Sequence, residues 1–142
     1  MNTRLVLILA ILGVTCLPAF GFCGFRVNVP FAFNARENIM VAGAYRLDCA
    51  SVPGPGNMIL HSVDQGSAIL LPTYPDQWPS RQAVHNAAAY LIFHRYGNRY
   101  FLSYVWAPGL EFVRKVPMSK TEKELARAGS PAELTRLISV ER

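Results

Sequence analysis

Whatever chemistry this chain performs must come from three histidines, nine carboxylates, three cysteines and scattered hydroxyls. A metal centre needs three or four converging ligands. His61, His85 and His94 stand at neither the i, i+2 spacing of a strand face nor the i, i+4 spacing of a helix face. The acids nearest to them in sequence are Asp64 and Asp76. No metal and no cofactor is expected. Ser103, His94 and Asp64 are the residue types of a hydrolytic triad, yet the Gly-x-Ser-x-Gly elbow that exposes a nucleophile is absent. The carboxylates fall mostly in turns and near the C-terminus, not as the flanking pair that glycoside chemistry uses. The expectation is therefore a protein that is not an enzyme.

The cysteines point to a compartment. Arg4 precedes an apolar run at residues 5–14, followed by Pro18 and the small residues Ala19 and Gly21. These are the charged, hydrophobic and cleavage regions of a secretory signal peptide, and the run is shorter than the roughly 20 residues of a membrane-spanning helix. Cleavage near Gly21 is expected to divide the chain into a signal peptide at 1–21 and one β-rich domain at 22–142, secreted or periplasmic. No later run reaches spanning length, so no transmembrane helix is expected in the mature chain. Only Arg4 is lost among the charged residues, taking the net charge from +5 to +4. Cys23 and Cys49 remain as an even pair in an oxidising compartment, and a disulfide between them is expected. Such a bridge contributes roughly 3 kcal/mol in the chain-entropy picture.

Charge and aromatic content suggest what the surface meets. Residues 94–101, His-Arg-Tyr-Gly-Asn-Arg-Tyr-Phe, place bases among rings, but a turn interrupts them and the spacing of RNA-binding strands is not met. Nucleic acid is not expected. Arg95, Tyr96, Arg99, Tyr100 and Trp106 form the candidate binding surface instead. An exported basic protein is drawn to anionic envelope components through long-range attraction that salt weakens; another envelope protein is the other expected partner. The remaining aromatic residues suit a core, with a ligand-holding barrel mouth as the alternative.

The elements that position these residues read as strands. Residues 25–33 alternate apolar and polar with period two, and Pro30, unable to donate to a ladder, marks an edge or bulge. Residues 34–38 form a polar turn, and a second strand runs to Cys49 with Gly43 allowing a bend. Proline and glycine at 53–56 dictate a turn, before strands at 58–63 and 67–74 and a long loop at 75–85. Gly97-Asn98 between two apolar runs calls for a type II′ hairpin pairing Tyr96 with Arg99 and His94 with Phe101, central in its sheet. Another strand returns within 110–116. Ser119 and Glu122 have the spacing of a capping box opening a short surface helix that Gly129 stops. Ser130-Pro131-Ala132-Glu133 repeats that grammar, and the pattern at 134–140 fits a helix or a final strand equally. The expected fold is all-β, mainly antiparallel: a small sandwich or barrel with a short C-terminal helix.

Phe25-x-Val27-Asn28-Val29-Pro30-Phe31-x-Phe33, Ala42-Gly43-x-Tyr45, and the stretch from Leu91 through Trp106 carry a likeness, joined by Ser119-Lys120-x-Glu122-x-Glu124-Leu125. Across most of residues 22–142 the chain resembles a group of short exported proteins of soil bacteria to which no activity is assigned. Met40-Val41 stands where that group has leucine-proline. The resemblance implies export and a compact β domain, and brings no catalytic residues. The functional expectation is a non-enzymatic, envelope-associated binding or interaction module. A carrier of a small apolar ligand is the alternative, and a small hydrolase the third reading.

Overall fold

The alternating stretch at residues 25–33 builds two strands in two different sheets rather than the single strand its period predicts. In the computed structural model, which describes residues 24–49, 56–77, 88–108, 110 and 112–138, β1 (Gly24–Val29) ends where Pro30 withdraws its N–H. The chain then crosses over, and β2 (Phe33–Ala35) joins the opposite sheet. The alternation survives the crossing: Phe25, Val27, Val29 and Phe33 are all buried between the sheets.

The sheets form an antiparallel sandwich, which resolves the choice between sandwich and barrel. One holds β1, β4 (Gly43–Cys49), β5 (Asn57–Ser62) and β6 (Ala68–Pro72), in the order β1-β4-β5-β6. The other holds β7 (Tyr74–Asp76), β8 (Tyr90–Tyr96), β9 (Arg99–Trp106), β10 (Val113–Lys115) and β11 (Glu133–Ile138). Their order is β11-β8-β9-β10-β7. β2 pairs with β3 (Asn38–Met40) across a turn where Arg36 takes φ 55°, and it meets β9 in parallel at Asn34 and Phe101. Strands β6 and β7 are separated by Thr73 alone, so one extended segment passes from the first sheet to the second. Pro75 and Asp76, expected to open a loop, belong with Tyr74 to an edge strand because β10 offers them a ladder. Residues 78–87, including Trp78 and His85, lie outside the described residues.

The core joins the inner faces of both sheets: Tyr45, Leu47, Met58 and Leu60 from one, Leu91, Phe93, Leu102 and Val105 from the other. Phe33 meets Tyr45 and Phe93 edge-on at ring-centroid distances of 5.2 and 5.3 Å, an arrangement aromatic quadrupoles favour. The Tyr45 hydroxyl donates to the Val41 carbonyl at 2.5 Å, holding the entry to β4. Beside it, the Asp64 carboxylate accepts from the Ala44 N–H at 3.0 Å. A Cβ on Gly43 would lie 2.6 Å from that same carboxylate oxygen, so glycine is what admits the contact.

The β8–β9 hairpin has the expected register, from Tyr96 opposite Arg99 to Phe93 opposite Leu102, and it is central in its sheet. Gly97 carries the positive φ, 61°, as a type II′ turn requires of its first central residue. Beyond Phe93 the pairing shifts: Ile92 faces Tyr104, which leaves Ser103 as an extra, bulged residue. The bulge keeps Leu102 and Val105 inside while Tyr104 and Trp106 face outward into a second buried cluster with Tyr90, Ile92 and Val113.

The helix α1 (Lys120–Arg127) starts as expected, with the Ser119 hydroxyl accepting from the Glu122 N–H at 3.1 Å. The second capping signal, at 130–133, starts no helix. Residues 133–138 pair with β8 in antiparallel register, Glu133 opposite Arg95 through Ile138 opposite Tyr90. The unpaired edge of a hydrophobic central strand outweighs a local helix-start preference there. Among the described residues, no helix is long and apolar enough to cross a membrane.

Candidate functional site

The five residues expected to share one binding surface occupy different environments. Tyr96 and Trp106 are buried, at 6% and 5% exposure, and point to the outer side of the β8–β9 sheet. Tyr100 faces the core side and stacks on Phe31 with ring centroids 3.8 Å apart. Arg95 reaches Glu133 at 3.6 Å and donates to the Gly97 carbonyl at 2.7 Å. Only Arg99 stands fully at the surface, its guanidinium 5.5 Å from the Phe101 ring. Alternation on paired strands separates Arg95 and Tyr100 from Tyr96 and Trp106, so these residues cannot present one face.

What the hairpin does assemble is a polar network beneath the helix. His94 projects outward from β8, and α1 brings Glu122 onto it. The distance from Nδ1 to Oε1 is 2.8 Å, and the Glu122 side chain is only 4% exposed. The capping carboxylate, expected to reach back to the start of its helix, is thus directed into the sheet. Tyr96 is hydrogen-bonded to the same carboxylate, and burial followed by the nearby negative charge pushes its phenol above the usual range. Burial likewise raises Tyr45 and Tyr90.

These raised phenols make a prediction. A group whose pKa is higher folded than unfolded contributes stability that is fully present below its unfolded pKa, about 10 for tyrosine. That contribution is lost as pH rises through the folded value. Alkaline titration at the tyrosinate band should therefore show Tyr45, Tyr90 and Tyr96, half of the six tyrosines, ionising late and together with loss of near-ultraviolet circular dichroism. Six independent titrations near the ordinary value would contradict this.

The network has the parts of an acid–base pair, but the hydroxyl expected to complete a triad is committed elsewhere. Ser103 Oγ donates to the Phe101 carbonyl at 3.0 Å and accepts from the His94 backbone N–H at 3.3 Å, so it addresses the backbone and not the imidazole. Asp64 is held at Ala44, on the other sheet. No group of three His, Cys, Asp or Glu side chains suited to a metal occurs among the described residues.

The outer face of the four-stranded sheet gathers a second group. Arg26, Arg46 and His61 are direct partners on the adjacent strands β1, β4 and β5, forming a row across the sheet. Like charges facing each other on paired strands are unfavourable. Asp48, two residues along β4 on the same face, relieves the row in part. Its Oδ2 receives Arg46 Nη2 at 2.9 Å, Arg46 Nε at 3.0 Å and His61 Nε2 at 3.2 Å. Its Oδ1 is buried with no hydrogen-bond partner. Arg26 is exposed and has no carboxylate partner among the described residues. Exposed Leu70 and part-buried Ile59 flank this group in the next row.

Sequence reasoning missed both arrangements. The outward phase of Arg26 and Arg46 is legible in the alternation of their strands, but their pairing is set after an excursion through β2 and β3. Glu122 lies 28 residues from His94, and its spacing from Ser119 signals only a helix start. The disulfide expected between Cys23 and Cys49 involves Cys23, which lies outside the described residues. Comparison with protein-family models, with curated proteins and with solved structures finds no match to this chain.

Proposed function

We propose that the chain is an exported, non-enzymatic binding module that holds an anionic component of the cell envelope against the outer face of its four-stranded sheet. The observation that carries this reading is the row Arg26–Arg46–His61, with one carboxylate to balance it and Arg26 left unpaired among the described residues. A sheet holds such side chains at the strand spacing of about 4.8 Å, and the paired cations Arg26 and Arg46 attract polyanions over roughly a Debye length, about 8 Å in physiological salt. The signal-peptide pattern and net positive charge agree with a protein that works outside the cytoplasm.

A disulfide between Cys23 and Cys49 belongs to the same proposal. Once the expected signal peptide is removed, Cys23 and Cys49 are an even pair of cysteines in an oxidising compartment, where thiols are drawn into bridges. Intact mass before and after reduction reads the bridge as two missing hydrogens; an unchanged mass removes it.

The test of the binding reading is co-sedimentation of residues 22–142 with washed envelope fragments from the host. Binding should weaken as salt rises and should be lost in Arg26→Glu/Arg46→Glu, whereas Arg95→Glu/Arg99→Glu should retain it. Equal binding by the first variant and the wild type would sink the proposal.

A further inference from the structure

The last strand of the four-stranded sheet has the composition of an interior strand. Ala68-Ile69-Leu70-Leu71 is an unbroken apolar run, the pattern of a strand covered on both faces. Ile69 and Leu71 face the core, whereas Ala68 and Leu70 are exposed on the outer side, Leu70 at 58%. Edge strands ordinarily carry a lysine, an inward charge or a bulge that discourages further pairing. β6 has none of these: residues 65–75 contain no charged side chain, and the β5–β6 register runs without a shift. The strands at the other ends of the two sheets, β1, β7 and β11, carry Arg26, Asp76, and Glu133 with Arg136. The backbone of β6 is open as well. The Ser67 carbonyl accepts from the Ser62 N–H at 2.8 Å, and the Thr73 N–H donates to the Gly56 carbonyl at 3.0 Å. An antiparallel ladder uses alternate residues, so 67, 69, 71 and 73 turn to β5 while 68, 70 and 72 turn their groups outward. Pro72, which has no N–H, falls in the outward set. Among the described residues, β6 pairs with β5 alone.

We infer that the occupant of this edge is β6 of a second copy of the chain, paired antiparallel about a two-fold axis at Leu70, which joins two four-stranded sheets into one. The strand is its own complement. With Leu70 opposite its copy, the two residues exchange both N–H···O bonds, and each Ala68 N–H meets the Pro72 carbonyl of the other copy. Only the Ala68 carbonyl goes without, because it faces a proline. Ile69 falls beside Leu71 of the other copy on the core side, and the two exposed Leu70 side chains cover each other on the outer side. Like charges brought opposite each other destabilise a strand pair, a penalty that uncharged β6 escapes when it meets itself. The contact is isologous, so it closes at two copies and leaves neither β6 edge free. The inference goes beyond the anionic-envelope reading, which uses Arg26 and Arg46 on β1 and β4.

Sedimentation velocity of the purified protein tests this. A contact one strand wide belongs to the small, reversible end of protein interfaces, so monomer should give way to dimer between about 1 and about 100 μM. Leu70→Lys sets two like charges at the axis and removes the leucine contact, and should weaken dimerisation by about a hundredfold or more. Ala68→Lys should act in the same direction and serves if the first variant unfolds; both sites are exposed, and near-ultraviolet circular dichroism checks the fold. Leu134→Lys, at a leucine of β11 that is 55% exposed, should leave the dimer intact. Hydrogen exchange separates strand pairing from a looser contact: the Ala68 and Leu70 amides should gain protection as the dimer forms. A wild type that stays monomeric at about 100 μM overturns the inference and leaves the edge to a strand of some other protein. A dimer that survives in folded Leu70→Lys, forms without protecting those two amides, or grows on into larger species overturns it equally.

Discussion

Replacing Glu122 with alanine should lower the stability of the domain by roughly 2 to 4 kcal/mol, the range for a lost bond to a charged group plus a buried partner left unsatisfied. The side chain is 4% exposed, and the residue serves two elements at once: it begins α1 and holds His94 of β8 at 2.8 Å. Tyr96 depends on it as well. Removing it leaves an imidazole and a phenol facing a cavity on the outer side of the central hairpin. For a domain of this size each kcal/mol corresponds to about 4 °C in Tm, so thermal unfolding measures the effect directly. Hydrogen exchange locates it: amides of α1 should lose protection before those of β8 and β9 if the network is what docks the helix. Glu122→Gln should cost less, since an amide oxygen still accepts from an imidazole N–H. A Tm within about a degree of wild type in the alanine variant would show that the helix is held by other contacts.

Gly56→Ala should be at least as damaging, for a different reason. Gly56 has φ 82°, a conformation that L-residues adopt at a cost of about 1 to 3 kcal/mol. Its surroundings are also full. An added Cβ would overlap the Arg114 guanidinium and lie 2.7 Å from the Thr73 carbonyl oxygen. The Gly56 carbonyl accepts from the Thr73 N–H at 3.0 Å and from the Thr73 hydroxyl. Arg114 Nε in turn donates to Thr73 Oγ1 at 3.1 Å. The substitution thus expels Arg114 and disturbs the corner between β6 and β7, for a total loss of about 3 to 5 kcal/mol. A double-mutant cycle separates the contributions. Arg114→Ala removes the guanidinium clash, so the double variant should be more stable than the sum of single losses predicts. The loss that remains is backbone strain and the Thr73 contact. Strict additivity in denaturant unfolding would mean that Arg114 simply swings away.

How much of this was legible in the sequence follows from the range of each interaction. The hairpin at Gly97-Asn98 is fixed by two neighbours, and its register emerged as expected down to Phe93 opposite Leu102. Ser119 likewise announces α1 through a contact three residues long. The bulge at Ser103 was invisible, because nothing in residues 99–106 distinguishes an extra residue from a regular one. It keeps Leu102 and Val105 in one core while Tyr104 and Trp106 serve another. The same limit defeated the candidate surface. Ring-rich strands were read correctly as strands, but the second cluster on the outer face takes Trp106 inside, and Glu122 of α1 reaches Tyr96. The segment at 130–138 carried two messages, a helix start and an alternating pattern, and the open side of β8 decided between them. The row of Arg26, Arg46 and His61 depended on pairing across β2 and β3, which no local pattern encodes.

The passage of one extended segment from sheet to sheet at Thr73 has a consequence for life in a crowded compartment. Sandwiches are vulnerable where a strand ends its sheet with hydrogen-bonding groups unclaimed, because another chain can add there and growth into cross-β fibres can begin. Here β6 continues directly into β7, and the border strand β7 has Pro75 as its middle residue, with no N–H to offer. At the opposite border β1 comes against β11, sheet to sheet. A chain that reaches this fold leaves its neighbours little template to copy at these two borders, so the corner at Thr73 guards against amyloid-like growth as well as shaping the sandwich.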